Sequence, residues 1–538
     1  MRRALVAALA LAGATALAAG GAAADTTPTE PVGRTAPVRA TSQDNRPTRA
    51  YEPPTFLIHP TDPDTVVGST IELTSGECRL LRSYDAGRSW DLLERTPSPE
   101  DFPRCFKGAV YGYLNETPIA WGRDSTLYWG INGLHPDRPD PDTSVLVARS
   151  TNLGDTWTST VVADARPATT RAVTNPSRPV TGLAVDSTSG PDDIVYVAWQ
   201  TFPVGTGPRE VLFSVSTDGG RTFSTPRLPY DEATSKRLGG EPGLEGLPPV
   251  LKVAADGTLY ILMPGRSADT SIPHRLLLGT STDRGATFTY TEVARLVEAN
   301  STPGLAWTPH GGPSGTLHVV YEDGYGSPLG VRKILYSQSI DGGATFSPPK
   351  LLPDDDLAKR YSQFNPNVSV APDGRVDVVW WDFRDGAGLY ASDVYYVYSF
   401  DNGASWSRNF RVTDQSINRK VGTWSNNFDY RAPPSIASTD ETALVAWDQT
   451  ETDGSTDTQD LHVATVQLAE LPAENGAIAF VVAALIGLAA GGLGLLGIAA
   501  ASRRRHEGGA GTPLDDAVDQ LGGKSVSGTK PSVGPSHE

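Results

Sequence analysis

The sequence has few of the residues that most directly reveal chemistry. Its 538 residues include two cysteines and eight histidines, and the formal net charge is −17. Because nucleic acids require basic surfaces, this acidic balance argues against nucleic acid as a partner. The sequence has no His-Glu-x-x-His, P-loop or Gly-x-Ser-x-Gly pattern. We predict no metal and no cofactor, although the acidic loops leave a bound calcium ion open without specifying one.

Cysteine is so scarce that its arrangement is readily interpreted. Cys78 and Cys105 stand about 27 residues apart. Outside the cytoplasm, two such cysteines usually pair. We therefore predict a disulfide between them, which would stabilise the fold by roughly 3 kcal/mol. The alternative, a nucleophilic thiol, would require a histidine partner and an intracellular location.

Long apolar runs stand near the two ends of the chain. Residues 1–24 have the basic start, apolar middle and small-residue cleavage site of a secretory signal peptide. Residues 476–501 include 25 uncharged residues in succession, and a bilayer core of about 30 Å needs only about 20 helical residues. Arg503, Arg504 and Arg505 follow directly. Because basic residues remain on the cytoplasmic side, we predict a single-pass anchor with the bulk of the chain outside the cell.

The segments beside these runs predict no folded structure. Residues 25–48 and 502–538 have no apolar periodicity, so we expect a disordered linker and a disordered cytoplasmic tail. Leu471–Asn475 ("LPAEN") is similar to a cell-wall sorting signal, but Glu474 and Asn475 replace the Thr and Gly of such a signal. We prefer a retained membrane helix. A Gly-x-x-x-Gly pattern within it leaves its dimerisation open.

A motif of the form Ser-x-Asp-x-Gly-x-Ser/Thr-Trp/Phe recurs six times between these segments, with Asn152 in place of Asp in the second copy. Its copies begin 58 to 67 residues apart, at Ser83, Ser150, Ser216, Ser281, Ser339 and Ser399. A regular period of this kind is typical of repeat architectures. In each repeat, two alternating apolar runs flank a turn such as Pro372-Asp373-Gly374, and two more flank the motif. Each repeat therefore predicts a four-stranded antiparallel sheet.

Repeated four-stranded sheets without amphipathic helices predict an all-β propeller over residues 49–469. Six repeats carry the motif, and a seventh half-repeat from residue 433 has three strands without it. We favour seven blades, with a strand near Arg49–Phe56 completing the seventh, and keep six blades as the alternative. We expect the propeller to be monomeric.

The motif resembles the Asp-box, or BNR repeat, of sialidases and related propellers, and the resemblance covers residues 49 to about 468. Its residues suit a structural turn, because aspartate accepts main-chain N–H groups, glycine adopts positive φ and the final ring packs. The turn residues are Asp85, Asn152, Asp218, Asp283, Asp341 and Asp401. Asparagine keeps the acceptor oxygen without the charge, a change that a catalytic carboxylate would not tolerate.

The place of the motif in each sheet predicts where a ligand binds. If strands run up and down, the turns between strands one and two and between strands three and four share one face. The motifs are turns between strands three and four. We therefore expect the ligand on the opposite face, which carries the longer connections.

The resemblance also implies a catalytic set. Sialidases of this superfamily bind the substrate carboxylate with three arginines. Their nucleophile is a tyrosine that a glutamate activates, and a separate aspartate serves as the acid/base. The candidate catalytic residues are Asp382, Arg384, Arg266, Tyr361 and Arg431. Other candidates on the same loops are Arg171, Arg178, Arg360, Arg419, Glu241, Glu322, Asp323, Asp448 and Tyr430. The Arg-Ile-Pro-like motif that these enzymes carry before their first Asp-box is missing.

Two functions follow as expectations. The first is a membrane-anchored, sialidase-like propeller that presents an extracellular face to a glycan or protein ligand. The alternative is an exo-α-sialidase or related glycoside hydrolase. The alternative requires three guanidinium groups to converge near the propeller axis beside a Tyr–Glu pair.

Overall fold

Seven antiparallel sheets form the part of the chain that the structure, a computed structural model, describes. The described residues are 33–93, 104–105, 118–134, 143–163, 180–200, 211–231, 234, 249–265, 274–297, 301–324, 331–386, 390–420, 433–453 and 456–468. The sheets are the seven blades of a β-propeller. The prediction of an all-β, seven-bladed propeller is confirmed, and the six-bladed alternative is wrong.

In most blades the strands pair in chain order from the propeller axis outwards, but Arg104–Cys105 and Ile119–Trp121 both pair with Leu127–Leu134, and Ile417–Asn418 pairs with Ala391–Ser399. Blades one and two contain Tyr51–His59, Asp62–Glu72, Glu77–Ser83 and Asp91–Leu93, then Arg104–Cys105, Ile119–Trp121, Leu127–Leu134, Thr143–Ser150 and Thr158–Ala163. Blades three and four contain Val180–Asp186, Ile194–Gln200 and Val211–Ser216, then Val250–Val253, Leu259–Gly265, His274–Ser281 and Thr289–Leu296.

The remaining blades follow the same plan. Blades five and six contain Gly304–Thr308, Thr316–Asp323, Lys333–Ser339 and Lys350–Leu351, then Gln363–Val370, Val376–Asp382, Ala391–Ser399, Phe410–Arg411 and Ile417–Asn418. Blade seven contains Ser435–Ser438, Thr442–Asp453 and Thr456–Gln467, with the N-terminal strands Gly33–Arg34 and Val38–Arg39 outermost. Among the described residues, the 3-10 turns Arg123–Ser125 and Leu357–Lys359 lie in connections.

The hydrophobic core lies between blades rather than inside them. Seven clusters of buried residues each join two successive blades, and the cluster that contains Phe56, Leu81, Leu444 and Val463 joins blade seven to blade one. Successive residues of a strand point to opposite faces of the sheet. Central strands such as Val376–Asp382 are therefore buried along their whole length, because a neighbouring blade covers each face.

The ring closes through the N-terminal segment, which corrects the expected closure. Gly33–Arg34 and Val38–Arg39 pair with the third strand of blade seven, with Gly33 opposite Gln467 and Val38 opposite Val463. The segment near Arg49–Phe56, expected in this position, instead belongs to the innermost strand of blade one. The closing strands are two residues long each, which is too short for an apolar alternation to be recognised in the sequence.

Residues 25–48 were expected to be a disordered linker, but from residue 33 onwards they are ordered against blade seven. Ala40 and Thr41 are fully buried, and the N–H of Ala40 donates to the carbonyl of Leu461 at 2.8 Å. The segment is held by polar bonds, which a search for apolar periodicity does not detect. The described residues 33–48 therefore form part of the propeller.

The two faces of the propeller differ in their connections. The Asp-box turns and the turns between strands one and two share one face, which we call the Asp-box face. The connections between strands two and three and between blades share the opposite face, which we call the loop face. Within the described residues, no helix is long and apolar enough to cross a bilayer. The predicted signal peptide 1–24, membrane helix 476–501 and tail 502–538 lie outside those residues and stay predictions.

Proline marks the start of the innermost strands. Pro118, Pro249, Pro303 and Pro434 each directly precede one of them, and Pro54 and Pro366 interrupt the pairing of two more. The innermost strand has a free edge towards the axis. Proline lacks the N–H group that would be left unbonded at such an edge. These prolines help to keep the axis open as a channel.

Candidate functional site

The Asp-box turns are held by a repeated set of hydrogen bonds. In the first copy, Asp85 Oδ1 accepts the main-chain N–H of Ser89 at 2.8 Å, and Oδ2 accepts its hydroxyl at 2.6 Å. Ser83 Oγ accepts the N–H of Gly87 at 2.8 Å and donates to Asp85. Each carboxylate oxygen is therefore used within the turn itself.

The second copy shows how asparagine substitutes for aspartate. Asn152 Oδ1 accepts the N–H of Thr156 at 3.0 Å, as the carboxylates do. Its Nδ2 lies 3.0 Å from Thr156 Oγ1 and donates to it, so the direction of the second bond is reversed. The turn therefore needs an acceptor for the main-chain N–H, but the second side-chain atom, which faces the hydroxyl, can be either an acceptor or a donor.

The motif glycines bring each turn against the preceding blade. Gly87, Gly154 and Gly285 have φ of 85°, 90° and 76°, a region that disfavours side chains. A Cβ at Gly154 would lie 2.3 Å from Leu80 of blade one, and a Cβ at Gly285 would lie 2.6 Å from Phe213 of blade three. The glycine therefore provides both the backbone conformation and a close contact between blades.

The contribution of the Asp-box carboxylates to stability should appear in the dependence of the melting temperature on pH. Hydrogen bonds from Thr287 and Ser281 lower the pKa of Asp283 from 3.8 to about 2. The stabilisation by these hydrogen bonds is fully present above the pKa that Asp283 has in the unfolded state. It is lost as the pH falls through the lower pKa of the folded state. Asp283→Asn should therefore reduce the loss of melting temperature between pH 4 and 2, the window between those pKa values. Asn152→Asp should increase that loss, and identical profiles for both variants and the parent protein would contradict the assignment.

On the loop face, the strongest sequence candidates form a buried ion pair. Asp382 Oδ2 lies 2.8 Å from the guanidinium of Arg384. Arg384 also contacts Asp354 at 2.6 Å and Asn409 at 2.9 Å, and it stacks on the Tyr395 ring at 4.3 Å. Its side chain is 12% exposed. Burial opposes the charge, but Asp382 and Asp354 raise the pKa of Arg384. The guanidinium is thus engaged by the protein and is not available to a ligand carboxylate.

Three further carboxylates on the loop face are paired in the same way. We call these pairs, named carboxylate first, the arginine–carboxylate rim: Glu322 with Arg332, Asp382 with Arg384, Asp448 with Arg419, and Glu72 with Arg46. Every one of the four carboxylates is at most 3% exposed. Burial raises the pKa of Asp448, and Arg419 opposes this rise. Removing an arginine from such a pair leaves a buried charge unpaired, at about 3–5 kcal/mol.

Three tyrosines that contact carboxylates lie inside the protein. The hydroxyls of Tyr51, Tyr128 and Tyr396 donate to Asp44, Asp193 and Asp377. Each ring is at most 1% exposed, and burial raises the pKa of each phenol. A nucleophilic tyrosine needs the opposite environment, accessible and readily ionised. These pairs therefore stabilise the fold.

The other candidates are not brought together. Arg360 is exposed and Tyr361 is half-buried, in the connection that leads into blade six. In the described part of the chain, no carboxylate contacts either side chain. Asp323 accepts the N–H of Val297 at 2.7 Å. The candidates outside the described residues are Arg171, Arg178, Arg266, Arg431, Glu241 and Tyr430. No group of three or more metal-binding side chains occurs among the described residues.

The predicted disulfide is tested in part. Cys78 is buried on the third strand of blade one, and no cysteine of the described part is free. Cys105 lies on the short strand Arg104–Cys105, where its main chain is opposite Gly133. Its side chain lies outside the described residues, so the pairing stays a prediction.

Peptide mapping without reduction should find Cys78 and Cys105 in one cross-linked peptide pair. Reduction should then lower the free energy of unfolding by roughly 3 kcal/mol, because the unfolded chain regains the freedom of that loop. Alkylation of both cysteines in the unreduced, unfolded protein would contradict the prediction.

A channel follows the propeller axis. It has a volume of about 380 Å³ and is lined by innermost strands. Side chains join these strands where main-chain pairing ends. The N–H of Phe56 donates to Ser435 Oγ at 2.8 Å, and Asn367 Nδ2 donates to the carbonyl of Pro434 at 3.1 Å. Polar side chains of the innermost strands therefore contribute to the lining of the channel.

Six Asp-box turns on seven radially packed sheets define an Asp-box β-propeller. Residues 136–379 match the family of the BNR repeat-like domain. Over that segment the chain is similar to the BNR-repeat propellers. No curated protein matches its sequence.

Several solved structures show a distant likeness. An α-L-arabinanase from Penicillium chrysogenum is 15% identical, with 65% of this chain and 93% of that chain covered and a TM-score of 0.41. An α-L-arabinofuranosidase from Fusarium graminearum is 14% identical, with 68% and 98% covered and a TM-score of 0.41. A sialidase from Streptococcus pneumoniae is 10% identical, with 75% and 83% covered and a TM-score of 0.39. We infer no activity from them.

Proposed function

We propose that this protein is a membrane-anchored, sialidase-like propeller whose loop face binds an extracellular glycan or protein. The observation that carries the proposal is the arginine–carboxylate rim. A substrate-carboxylate clamp requires guanidinium groups that are free to form bidentate contacts. The rim arginines already form ion pairs with buried carboxylates of their own chain. They support a rigid binding face more than a catalytic clamp.

The environment of the tyrosines supports the same proposal. Catalysis by a tyrosine requires its ionisation to become easier, since the ordinary phenol pKa is near 10. Burial raises the pKa of Tyr51, Tyr128 and Tyr396 instead. These three pairs therefore do not supply a nucleophile, and burial also raises the pKa of Tyr395, whose hydroxyl donates to Asp385.

One observation favours the alternative, an exo-α-sialidase or related glycoside hydrolase. Arg360 is exposed, is adjacent to the half-buried Tyr361, and adopts a φ of 60° that strains a non-glycine residue. A free guanidinium beside an accessible phenol is the kind of pair that a glycosidase of this superfamily would use. Arg266 and Arg431 would have to complete the set.

Hydrolysis and binding assays on the full-length protein in detergent separate the two functions. We expect no cleavage of a fluorogenic sialoside above background, and retention on a glycan or protein array that Arg360→Gln weakens at least fivefold. The matched control is Arg221→Gln on the Asp-box face, whose side chain is 59% exposed. Cleavage that Arg266→Gln or Arg431→Gln abolishes, and that Arg221→Gln retains, would establish the hydrolase instead.

The anchor needs a separate test. The protein should remain with membranes after a high-salt wash, and protease added to intact cells should remove the propeller. Release of the whole chain into the medium would contradict the anchor and would leave the proposal for the loop face standing.

A further inference from the structure

One buried ion pair on the loop face is formed by a lysine instead of an arginine. Lys333 is only 2% exposed, whereas the other lysines that the structure describes are exposed: Lys252, Lys350, Lys359 and Lys420. The Nζ atom of Lys333 lies 2.7 Å from Oδ2 of Asp355, and each of these two side chains is 3% exposed. Among the ion pairs of the described residues, this pair alone combines a carboxylate with a primary amine.

The contact brings together two different parts of the loop face. Lys333 is the first residue of the third strand of blade five, and Asp355 lies in the connection that leads to blade six. Oδ1 of Asp355 has no hydrogen-bond partner within the described part of the chain. Two groups are placed to react when their atoms lie about 3–3.5 Å apart. A contact of 2.7 Å to one carboxylate oxygen brings Nζ close to that separation from the carboxylate carbon.

Two further side chains beside the pair are suited to assist a reaction. Asp323 is directly opposite Lys333 in the register of blade five, so both side chains lie on the same face of the sheet. A carboxylate in this position can carry a proton from the amine to a departing oxygen. A guanidinium nitrogen of Arg384 lies 3.9 Å from Oδ1 of Asp355. Negative charge that develops on this oxygen during attack would be stabilised by it.

We propose that Lys333 and Asp355 join spontaneously in an isopeptide bond, with Asp323 as the proton carrier. The Nζ–Cγ bond forms and the Cγ–Oδ2 bond breaks. Oδ2 leaves as one water molecule with two protons of the ammonium group, the third proton stays on the amide nitrogen, and Asp323 returns to its starting state. The reaction needs no other reactant. It removes two buried charges whose desolvation opposes the ion pair, and it is independent of the ligand proposed for the loop face.

Tryptic digestion of the full-length protein, followed by mass spectrometry, tests the proposal. Trypsin does not cleave after a lysine whose amine has become an amide. Residues 333–350 and 351–359 should therefore appear as one branched peptide. Its mass should equal that of the two peptides less one water molecule, and fragmentation should place the bond between Lys333 and Asp355.

Three variants separate the bond from the ion pair. Lys333→Arg is the matched control, because it keeps the charges but lacks the amine, and it should give linear peptides only. Asp355→Asn should still give the branched peptide with the mass of the wild-type product, because its amide releases ammonia instead of water. Asp323→Asn should lower the cross-linked fraction about fivefold or more, because the proton carrier is lost.

The wild-type protein decides the proposal even if a variant does not fold. Linear peptides cleaved after Lys333 in the wild-type digest would overturn it. A branched peptide whose bond lies at Asp354 or Asp356 would overturn the assignment to Asp355. An unchanged cross-linked fraction in Asp323→Asn would refute the part given to Asp323.

Discussion

Asp460→Ala should lower the free energy of unfolding by about 3–5 kcal/mol. Asp460 is fully buried on the third strand of blade seven. It accepts the hydroxyl of Thr41 at 2.6 Å, and its other oxygen accepts a guanidinium N–H of Arg49 at 2.6 Å. Both donors belong to the N-terminal segment that closes the ring. Without Asp460, the guanidinium of Arg49, only 7% exposed as a residue, would remain buried without its counter-charge.

Urea unfolding of the full-length protein measures this loss, and an exposed ion pair provides the control. Asp155 is 59% exposed and lies 2.7 Å from Arg82. Asp155→Ala should cost less than about 1 kcal/mol. The double variant Asp460→Ala/Arg49→Met should be more stable than Asp460→Ala alone, because no charge is left buried. Equal losses at Asp460 and Asp155 would show that the buried pair does not hold the ring closed.

Gly285→Ala should cost about 2–5 kcal/mol, because two unfavourable effects coincide. Gly285 has a φ of 76°, and the new Cβ would lie 2.6 Å from the ring of Phe213 on the preceding blade. An alanine at positive φ costs roughly 1–2 kcal/mol. Overpacking of a filled interface costs roughly 1–3 kcal/mol more.

A glycine in the neighbouring copy, one position before its motif glycine Gly220, separates these two effects. Gly219 has a φ of 72°, but the nearest atom to its Cβ would be the flexible guanidinium of Arg221, at 3.3 Å. Gly219→Ala should therefore cost only the backbone contribution, roughly 1–2 kcal/mol. Denaturant titration of both variants gives the difference. If the two losses were equal, the glycine would be required for φ alone and the contact between blades would contribute nothing.

The architecture could be predicted because its signals are local and repeated. The motif at Ser83 to Trp90 recurs at a regular interval, and each hairpin carries its own apolar alternation. The prolines before the innermost strands are a further local signal. They indicate where each blade begins at the axis, since an edge strand accommodates a residue without an N–H group.

The closing strand and the state of the candidate side chains could not be predicted, because both depend on distant parts of the chain. Gly33 pairs with Gln467 from the other end of the propeller. The sequence "WWDFRDG" correctly indicates that Asp382 and Arg384 lie together on the loop face. It cannot show that Asp354 and Asn409 approach from other connections and enclose the guanidinium. Whether a charge is available to a ligand is decided by such tertiary neighbours.

The pairing of Gly33 with Gln467 also determines how the protein can be displayed. The third strand of blade seven runs towards the Asp-box face and ends at Gln467, and the closing strand starts beside it at Gly33. The chain therefore enters and leaves the propeller on the Asp-box face. A tag or surface linker joined after residue 468 would begin on that side and leave the loop face unobstructed. Immobilisation through this end should present the loop face uniformly to a soluble ligand.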